Sequence, residues 1–314
     1  MQTLNRELSH RQLFAFSFGS IVGVGWITVM GAWLADAGAF GAALAFLAGA
    51  VLVGLISLCY AEMATRFPAT GGEIVYVHEV FGLRASFVVG WLLAMGYVSV
   101  VIFEVISVGW VVSALFPDLR GPVLYSVGGS DITLLGLGAG ILGMVIIAWF
   151  NIRGAKNAAF LQELMSLLLV LVTIVFCLAA FVNGDVANFK PYFVRDTDGL
   201  IWTGIVAVLV TAPFFFSGFD VVPQAMGERA EKASLKSVPT VLILSVLAAG
   251  VFYMMVILAA GIAMPREALL DSDLPMADAI AAALGSSLGG KIVLFAGLLG
   301  LITSWNSFTY GGAR

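Results

Sequence analysis

Apolar residues run along this chain in long blocks broken by short polar turns. A helix needs about 20 apolar residues to cross the hydrocarbon core of a bilayer. Eight blocks reach that length, at roughly 12–36, 41–65, 85–115, 132–150, 158–182, 200–223, 237–263 and 290–312. The pattern predicts an all-α membrane protein with about eight transmembrane helices. The polar positions between the blocks carry the orientation. Arg6, Arg11, Arg66, Arg84, Arg153, Lys156, Arg229, Lys232, Lys236 and Arg314 fall on one side of the membrane. Arg120, Lys190, Arg195, Arg266 and Lys291 fall on the other, ten against five. By the positive-inside rule the N-terminus is expected in the cytoplasm, and the protein in the cytoplasmic (plasma) membrane.

Two of the blocks are poor rods. The first contains Gly19-Ser20-Ile21-Val22-Gly23-Val24-Gly25-Trp26-Ile27, and each glycine costs a helix about 1 kcal/mol relative to alanine. Such a stretch either opens the helix where a cavity or protein satisfies its backbone or packs it closely through small residues. The sixth block holds Thr211-Ala212-Pro213-Phe214-Phe215-Phe216-Ser217-Gly218-Phe219-Asp220-Val221-Val222-Pro223. Two prolines remove backbone donors around a glycine and an intramembrane acid, so a continuous helix here is strained. A second broken helix is the economical reading, with at least one of the three phenylalanines facing inward.

The third block carries Glu104 about twenty residues in, with Tyr97 and Ser107 at helical spacing. An acid at that depth faces the bundle interior, either as a hydrogen-bonded packing residue or as a titrating group. In the fifth block Gln162, Ser166 and Thr173 form a polar stripe, which either lines a pathway or bonds neighbouring helices. After the second block, Pro68 with Gly71-Gly72 signals a turn, and Glu62 and Arg66 stand at ion-pair spacing.

Composition confirms the class and narrows the chemistry. Hydrophobic residues make up 61% of the chain and charged residues 11%, against about 25% charged in soluble domains; mean hydropathy is +1.05. The net charge of −4 comes with no basic tract for nucleic acid. Cys59 and Cys177 read as small buried residues, and His10 and His78 form no ligand cluster, so no metal site is expected. The first apolar run is too long for a cleavable signal. The polar residues form no nucleophile–base constellation, so the chain does not read as an enzyme.

Taken together, the two breaks and the turn resemble the amino acid–polyamine–organocation (APC) permeases, which share the inverted-repeat fold of LeuT. GSIVGVGWI is similar to that family's glycine-rich signature, Phe67-Pro68 through Gly71-Gly72 and Tyr76 to its turn, and Phe214 to Glu228 to its Phe-Phe-x-x-x-Gly-Phe-Asp…Glu segment. Leu274-Pro275-Met276-Ala277-Asp278-Ala279 resembles its outer loop helix. Asn306-Ser307-Phe308 with Ala313-Arg314 resembles the cytoplasmic half of its eighth span. The resemblance covers essentially the whole chain. It implies a LeuT-like inverted-repeat helical bundle with broken helices 1 and 6, a first five-span repeat over 1–198 and an incomplete second repeat over 199–314. Family members normally continue past an eighth span, so the chain is expected to be truncated there.

The resemblance also implies a function: a secondary active transporter moving amino acids or related amines by alternating access. The substrate is expected at the unwound parts of the two broken helices. Freed N–H groups around Ser20, Ile21, Gly23, Val24 and Gly25 suit a carboxylate, and carbonyls near Pro213 to Phe215 suit an ammonium. Trp26, Phe214, Phe215 and Phe216 are expected to form apolar walls, with Ser217 and Gly218 completing the second break. The coupling candidates are Glu104, Asp220, Thr303, Ser304 and Ser307. No cofactor is expected beyond H+ or Na+ as a coupling ion. The lysine that several proton-coupled relatives carry in the fifth span has no counterpart, since no basic residue lies between Asn157 and Asn183. The alternatives are a non-transporting substrate sensor or subunit, and a transport-incompetent fragment. Expected partners are a small-molecule substrate and the lipid bilayer, with no nucleic acid; the oligomeric state is left open.

Overall fold

The computed structural model describes residues 6–127, 130–272, 274–286 and 288–314. Helices α1 (His10–Ile21) and α2 (Gly25–Thr28) lead into α3 (Met30–Arg66), then α4 (Glu73–Phe81) and α5 (Leu83–Leu115). A hairpin of β1 (Val123–Val127) and antiparallel β2 (Ser130–Thr133) precedes α6 (Leu134–Ile152) and α7 (Ala155–Asn183). The rest comprises α8 (Trp202–Phe215), α9 (Val221–Gln224), α10 (Val238–Ala263), α11 (Arg266–Leu270), α12 (Pro275–Leu284) and α13 (Leu288–Gly312). Among the described residues six helices are long and apolar enough to cross a membrane: α3, α5, α6, α7, α10 and α13. The interrupted pairs α1–α2 and α8–α9 occupy the first and sixth apolar blocks. The chain is an all-α membrane protein.

Local chemistry sets the boundaries. α1 starts at a capping box, in which the Ser9 hydroxyl accepts from Gln12 N–H while the Gln12 side chain accepts from Ser9 N–H. α3 runs through Gly38 at φ 72°, ψ 171°. That corner ends the first crossing and starts the second, and a Cβ there would also sit 3.0 Å from the Pro191 and Tyr192 carbonyl oxygens. The fourth block becomes helical only from Leu134, because Asp131 and Thr133 belong to the hairpin and Thr133 caps the helix by accepting from Gly136 N–H at 3.2 Å. The expected turn is present at Gly71 (φ 111°) and Gly72 (φ 43°), and Arg66 pairs with Glu62 at 2.7 Å. Between α7 and α8 lies Asp196, outside the membrane-spanning segments. The Thr203 hydroxyl, helped by Leu200 N–H, holds its carboxyl below the usual carboxylate range.

The seams of α3 with α10 and α8 are built from small residues. α10 packs along α3, with Gly250 against Ala50 and Gly261 against Ala39, while Gly49 of α3 backs onto Ala212 of α8. Lipid tails are as apolar as leucine, so helix association inside a bilayer relies on such close backbone approach. Many large apolar side chains away from these seams point outward, among them Phe87, Trp91, Leu92 and Ile102 of α5 and Leu142 and Val145 of α6. Cys177 is buried as expected. Cys59 is exposed on the outward face of α3, a face the uniform apolar block does not reveal.

Gly250→Leu should therefore force α10 from α3 and lower the unfolding temperature in detergent, since overpacking costs about 1–3 kcal/mol. Gly54→Ala, where an added methyl meets nothing within 4 Å, should leave it unchanged or raise it.

Candidate functional site

Helical hydrogen bonding in the first span ends with Val22 N–H donating to Phe18 O, and resumes with Ile27 and Thr28 donating to Val24 O. Between these points Gly23 N–H turns back to Ile21 O at 3.1 Å. Among the described residues the N–H groups of Val24, Gly25 and Trp26 have no acceptor. The second interruption lies between Phe215 and Val221, with Gly218 at φ 108°.

The two interruptions meet. Ser20 Oγ donates to Gly218 O at 2.7 Å and also lies 2.8 Å from Phe16 O. A Cβ on Gly218 would fall 2.7 Å from Ser20 Cβ, so both the backbone angle and the contact demand glycine there. Gly25 lies flat against the Phe215 ring, whose nearest carbons would stand 2.5 and 2.6 Å from an added Cβ. Tyr253 of α10 reaches the same point, its hydroxyl 3.0 Å from Ile21 O and 3.3 Å from Phe215 O. Trp33 closes edge-on over Phe215 with centroids 4.9 Å apart, and Trp26 meets Phe252 edge-on at 5.6 Å. The indole N–H groups of both tryptophans are buried without an acceptor.

α13 backs the first break. Gly300 faces the carbonyl oxygens of Gly23 and Val22, which lie 2.8 and 3.2 Å from its would-be Cβ. Glu104 Oε1 of α5 and Ser304 Oγ of α13 each stand 3.6 Å from the Cβ position of Gly23. Glu104 is 3% exposed, and its Oε2 has no hydrogen-bond partner.

Most of the expected substrate-binding residues are brought to this crossing: Ser20, Ile21, Gly23, Val24, Gly25, Trp26, Phe215, Phe216 and Gly218. Three are not. Phe214 is 73% exposed, and Pro213 and Ser217 also face outward. The cause is helical geometry: Phe216 takes the inward position against Phe46 and Tyr253, which sends Phe214 to the opposite face. Ser217 bonds back to Phe214 O at 2.6 Å. The coupling candidates also divide. Asp220 accepts from Tyr97 hydroxyl and from Gly218 N–H at 3.0 Å, bracing the second break. Thr303 bonds Gly300 O within its own helix at 2.8 Å, and Ser307 bonds Phe16 O at 3.1 Å. Only Glu104 and Ser304 face the open stretch of the first break.

Of the polar stripe of α7, Gln162 ties helices together, while Thr173 bonds Leu169 O of its own helix and Ser166 has no partner. Asn151 donates to Asn306 Oδ1 at 3.0 Å, Asn306 to Gln162 Oε1 at 2.8 Å, and Gln162 to Ala15 O at 3.1 Å. Beside it a groove of about 610 Å³ opens between α1, α7 and α10, past Phe18, Ser166, Val170 and Met255; none of the expected substrate-binding residues lines it. Sequence reasoning missed Tyr253, a tyrosine in an apolar block with no motif around it. It also missed the cluster in which Glu228 takes Arg314 at 2.8 and 3.0 Å and the Tyr310 hydroxyl.

A family profile for amino acid permeases matches residues 8–314. The chain belongs to the amino acid permease family. Within it the chain is 26% identical to the amino-acid permease RocE of Bacillus subtilis, over 99% of this chain and 65% of the relative. It is 26% identical to the branched-chain amino acid permease BcaP of B. subtilis, over 100% and 66%. With the chloroplastic cationic amino acid transporter 9 of Arabidopsis thaliana the figures are 29%, 93% and 50%. The chain thus spans about half to two-thirds of the length of these relatives. The permease assignment agrees with the APC resemblance read from the two breaks and the turn, and it places the chain among permeases rather than enzymes.

Ser20→Ala should remove the side-chain link between the breaks and lower stability by about 1 kcal/mol. Gly218→Ala adds a disfavoured backbone angle to a clash and should cost more. Thermal unfolding of both variants in one detergent checks the order.

Proposed function

We propose that the chain carries the substrate site of a secondary transporter for amino acids or related amines. The observation that carries this reading is the pair of interrupted spans crossing at Ser20–Gly218, with three backbone N–H groups left open at Val24, Gly25 and Trp26. Unpaired donors at membrane depth are tolerated where they face a ligand or cavity, and broken helices at the midplane are how transporters hold substrates. The open N–H groups take the substrate carboxylate, with Gly23 and Gly25 keeping side chains out of the way. The carbonyl of Phe215, now held by Tyr253, is the acceptor offered to the ammonium. The names of the permease relatives support amino acids as the substrate class.

Alternating access follows from what holds the inner half of the first span. α1 is tied by exchangeable hydrogen bonds, through Gln162, Ser307 and the Ser17–Ser245 hydroxyl pair. The segment before it is stitched to the loop after α9 by Glu7 and Leu8 N–H to Glu228 O and by Ala230 N–H to Leu8 O. Such bonds pass to water when α1 tilts, whereas the small-residue packing of α3 on α10 stays. The two-repeat division at 198/199 is supported by each half opening with an interrupted span. The cytoplasmic N-terminus and the plasma membrane location rest on the distribution of basic residues.

Ligand-induced thermal stabilisation across amino acids and polyamines tests the reading, because a ligand at 100 times its Kd adds about 2.7 kcal/mol to the native state. A selective upward shift is expected for amino acids. Gly25→Val, whose side chain would enter the Phe215 ring, should insert normally and lose the shift; an unchanged shift would make the break a packing feature only.

A further inference from the structure

We infer that Asn151, Asn306 and Gln162 form a one-way relay of amides that latches α1, and that its last donor passes from Ala15 O to Ser166 Oγ as α1 tilts. Asn151 is thereby a positioning residue for a half-helix to which it is not itself bonded. The inference rests on the reading of α1 as the part of the first span that moves, and adds the device that holds and releases it. Asn151 Nδ2 on α6 donates to Asn306 Oδ1 on α13 at 3.0 Å. Asn306 Nδ2 donates to Gln162 Oε1 on α7 at 2.8 Å, and Gln162 Nε2 donates to Ala15 O on α1 at 3.1 Å. Four helices are joined in series, each amide giving a hydrogen to the next.

The direction of the chain is fixed from outside it. A side-chain amide can turn over and exchange its donor for its acceptor, but each of these three is pinned by a main-chain carbonyl, which only accepts. Asn151 Nδ2 also reaches Ile147 O at 2.9 Å, Asn306 Nδ2 reaches Ala158 O at 3.0 Å, and the last link ends on a carbonyl, Ala15 O. Turning any one amide over would set oxygen against oxygen, in a place where Gln162 and Asn306 are fully buried. Buried amides bonded head to tail polarise one another, so loosening the first weakens the grip of the last.

The relay has two places to end. Ser166 stands one turn beyond Gln162 on the same face of α7, and its Oγ is buried without a partner. Gln162 Nε2 and Ser166 Oγ crowd the same point on α1, the position where a Cβ on Gly19 would sit, with Oγ 2.7 Å from it. When α1 tilts and takes Ala15 O away, the freed Nε2 finds an acceptor in this hydroxyl without waiting for water. The donor is satisfied at both ends of the movement, which spares the cost of a buried N–H left open.

The test is hydrogen–deuterium exchange of the purified chain, read over residues 10–21 of α1 with the closely packed α3 and α10 as internal reference. Gln162→Met, close to glutamine in size and without a donor, should speed α1 exchange about fivefold. Asn151→Leu should speed it by less, and should add nothing in a chain that already carries Gln162→Met, because the link between them is gone. Ser166→Ala should act in the opposite direction and slow α1 exchange, since tilting then leaves Nε2 without an acceptor; trimming a residue that only packs would loosen α1 instead. Asn151→Ala takes the place of Asn151→Leu where the leucine variant does not fold. Exchange in α1 unmoved by Asn151→Leu, additive effects in the double variant, or faster exchange in Ser166→Ala overturns the relay and leaves the transporter reading standing. If α1 of wild type exchanges no faster than α3 and α10, α1 is not the moving half, and the proposed route of alternating access falls together with the relay.

Discussion

Backbone polar groups released inside a bilayer have no water to turn to, and each one left open costs several kcal/mol. Breaking two helices at the same depth is sustainable only if the breaks satisfy one another. The structure does this with few atoms. Ser20 Oγ reaches Gly218 O across the crossing, Asp220 folds back onto Gly218 N–H, and one tyrosine on α10 touches a carbonyl from each break. These contacts make the two interrupted spans a single unit, so neither half can move without its partner registering the change. The donors that remain open, at Val24, Gly25 and Trp26, are concentrated in one turn of backbone. Scattered open donors would be strain; their clustering in one turn is what supports the proposed carboxylate site.

Around that unit the protein uses two kinds of adhesion with different consequences. α3 and α10 meet through alanines and glycines at backbone range, a contact that has no half-open form. α1 is held mostly by hydrogen bonds between side chains and carbonyls, reaching α7, α10 and α13. Below it, Glu228 gathers Arg314, the Tyr310 hydroxyl and, through its carbonyl, the segment of Glu7 and Leu8. Arg314 also stacks on the Tyr310 ring at 3.7 Å. A buried pair of this kind contributes modestly as a whole, but removing one partner leaves the other charged and unpaired. That asymmetry suits a latch, whose members separate together into water or not at all.

The apolar blocks made the spans legible, because length and composition are enough to mark a crossing. The breaks were legible for a related reason: glycine and proline carry their backbone consequences with them, and Gly218 sits at an angle that other residues resist. Facing direction was harder. Phe214, Phe215 and Phe216 are indistinguishable as letters, and only the packing of Phe216 on Phe46 and Tyr253 shows that Phe214 points away. Cys59 failed for the same reason, since a uniformly apolar helix does not say which side meets lipid. Tyr253 was invisible because its role depends on two carbonyls, one 38 and the other 232 residues away in sequence. Glu228 and Arg314, 86 residues apart, pair for reasons only the fold supplies.

Ion coupling shows how position narrows chemistry. Five residues had the right chemistry in the sequence, and four of them are already engaged or unable to titrate once placed. Asp220 braces a break, Thr303 and Ser307 bond carbonyls, and Ser304 has no proton to give up at working pH. Gln162 and Asn306 fill the region beside α1 with a neutral amide network that needs no proton to be complete. Of the five, Glu104 alone combines a titratable group, an unpartnered oxygen and a place beside Gly23 at the first break. A buried carboxyl without a partner is a standing cost to the fold. Its place beside Gly23, with Ser304 at the same distance, puts that cost at the edge of the first break rather than in the packed seams between helices.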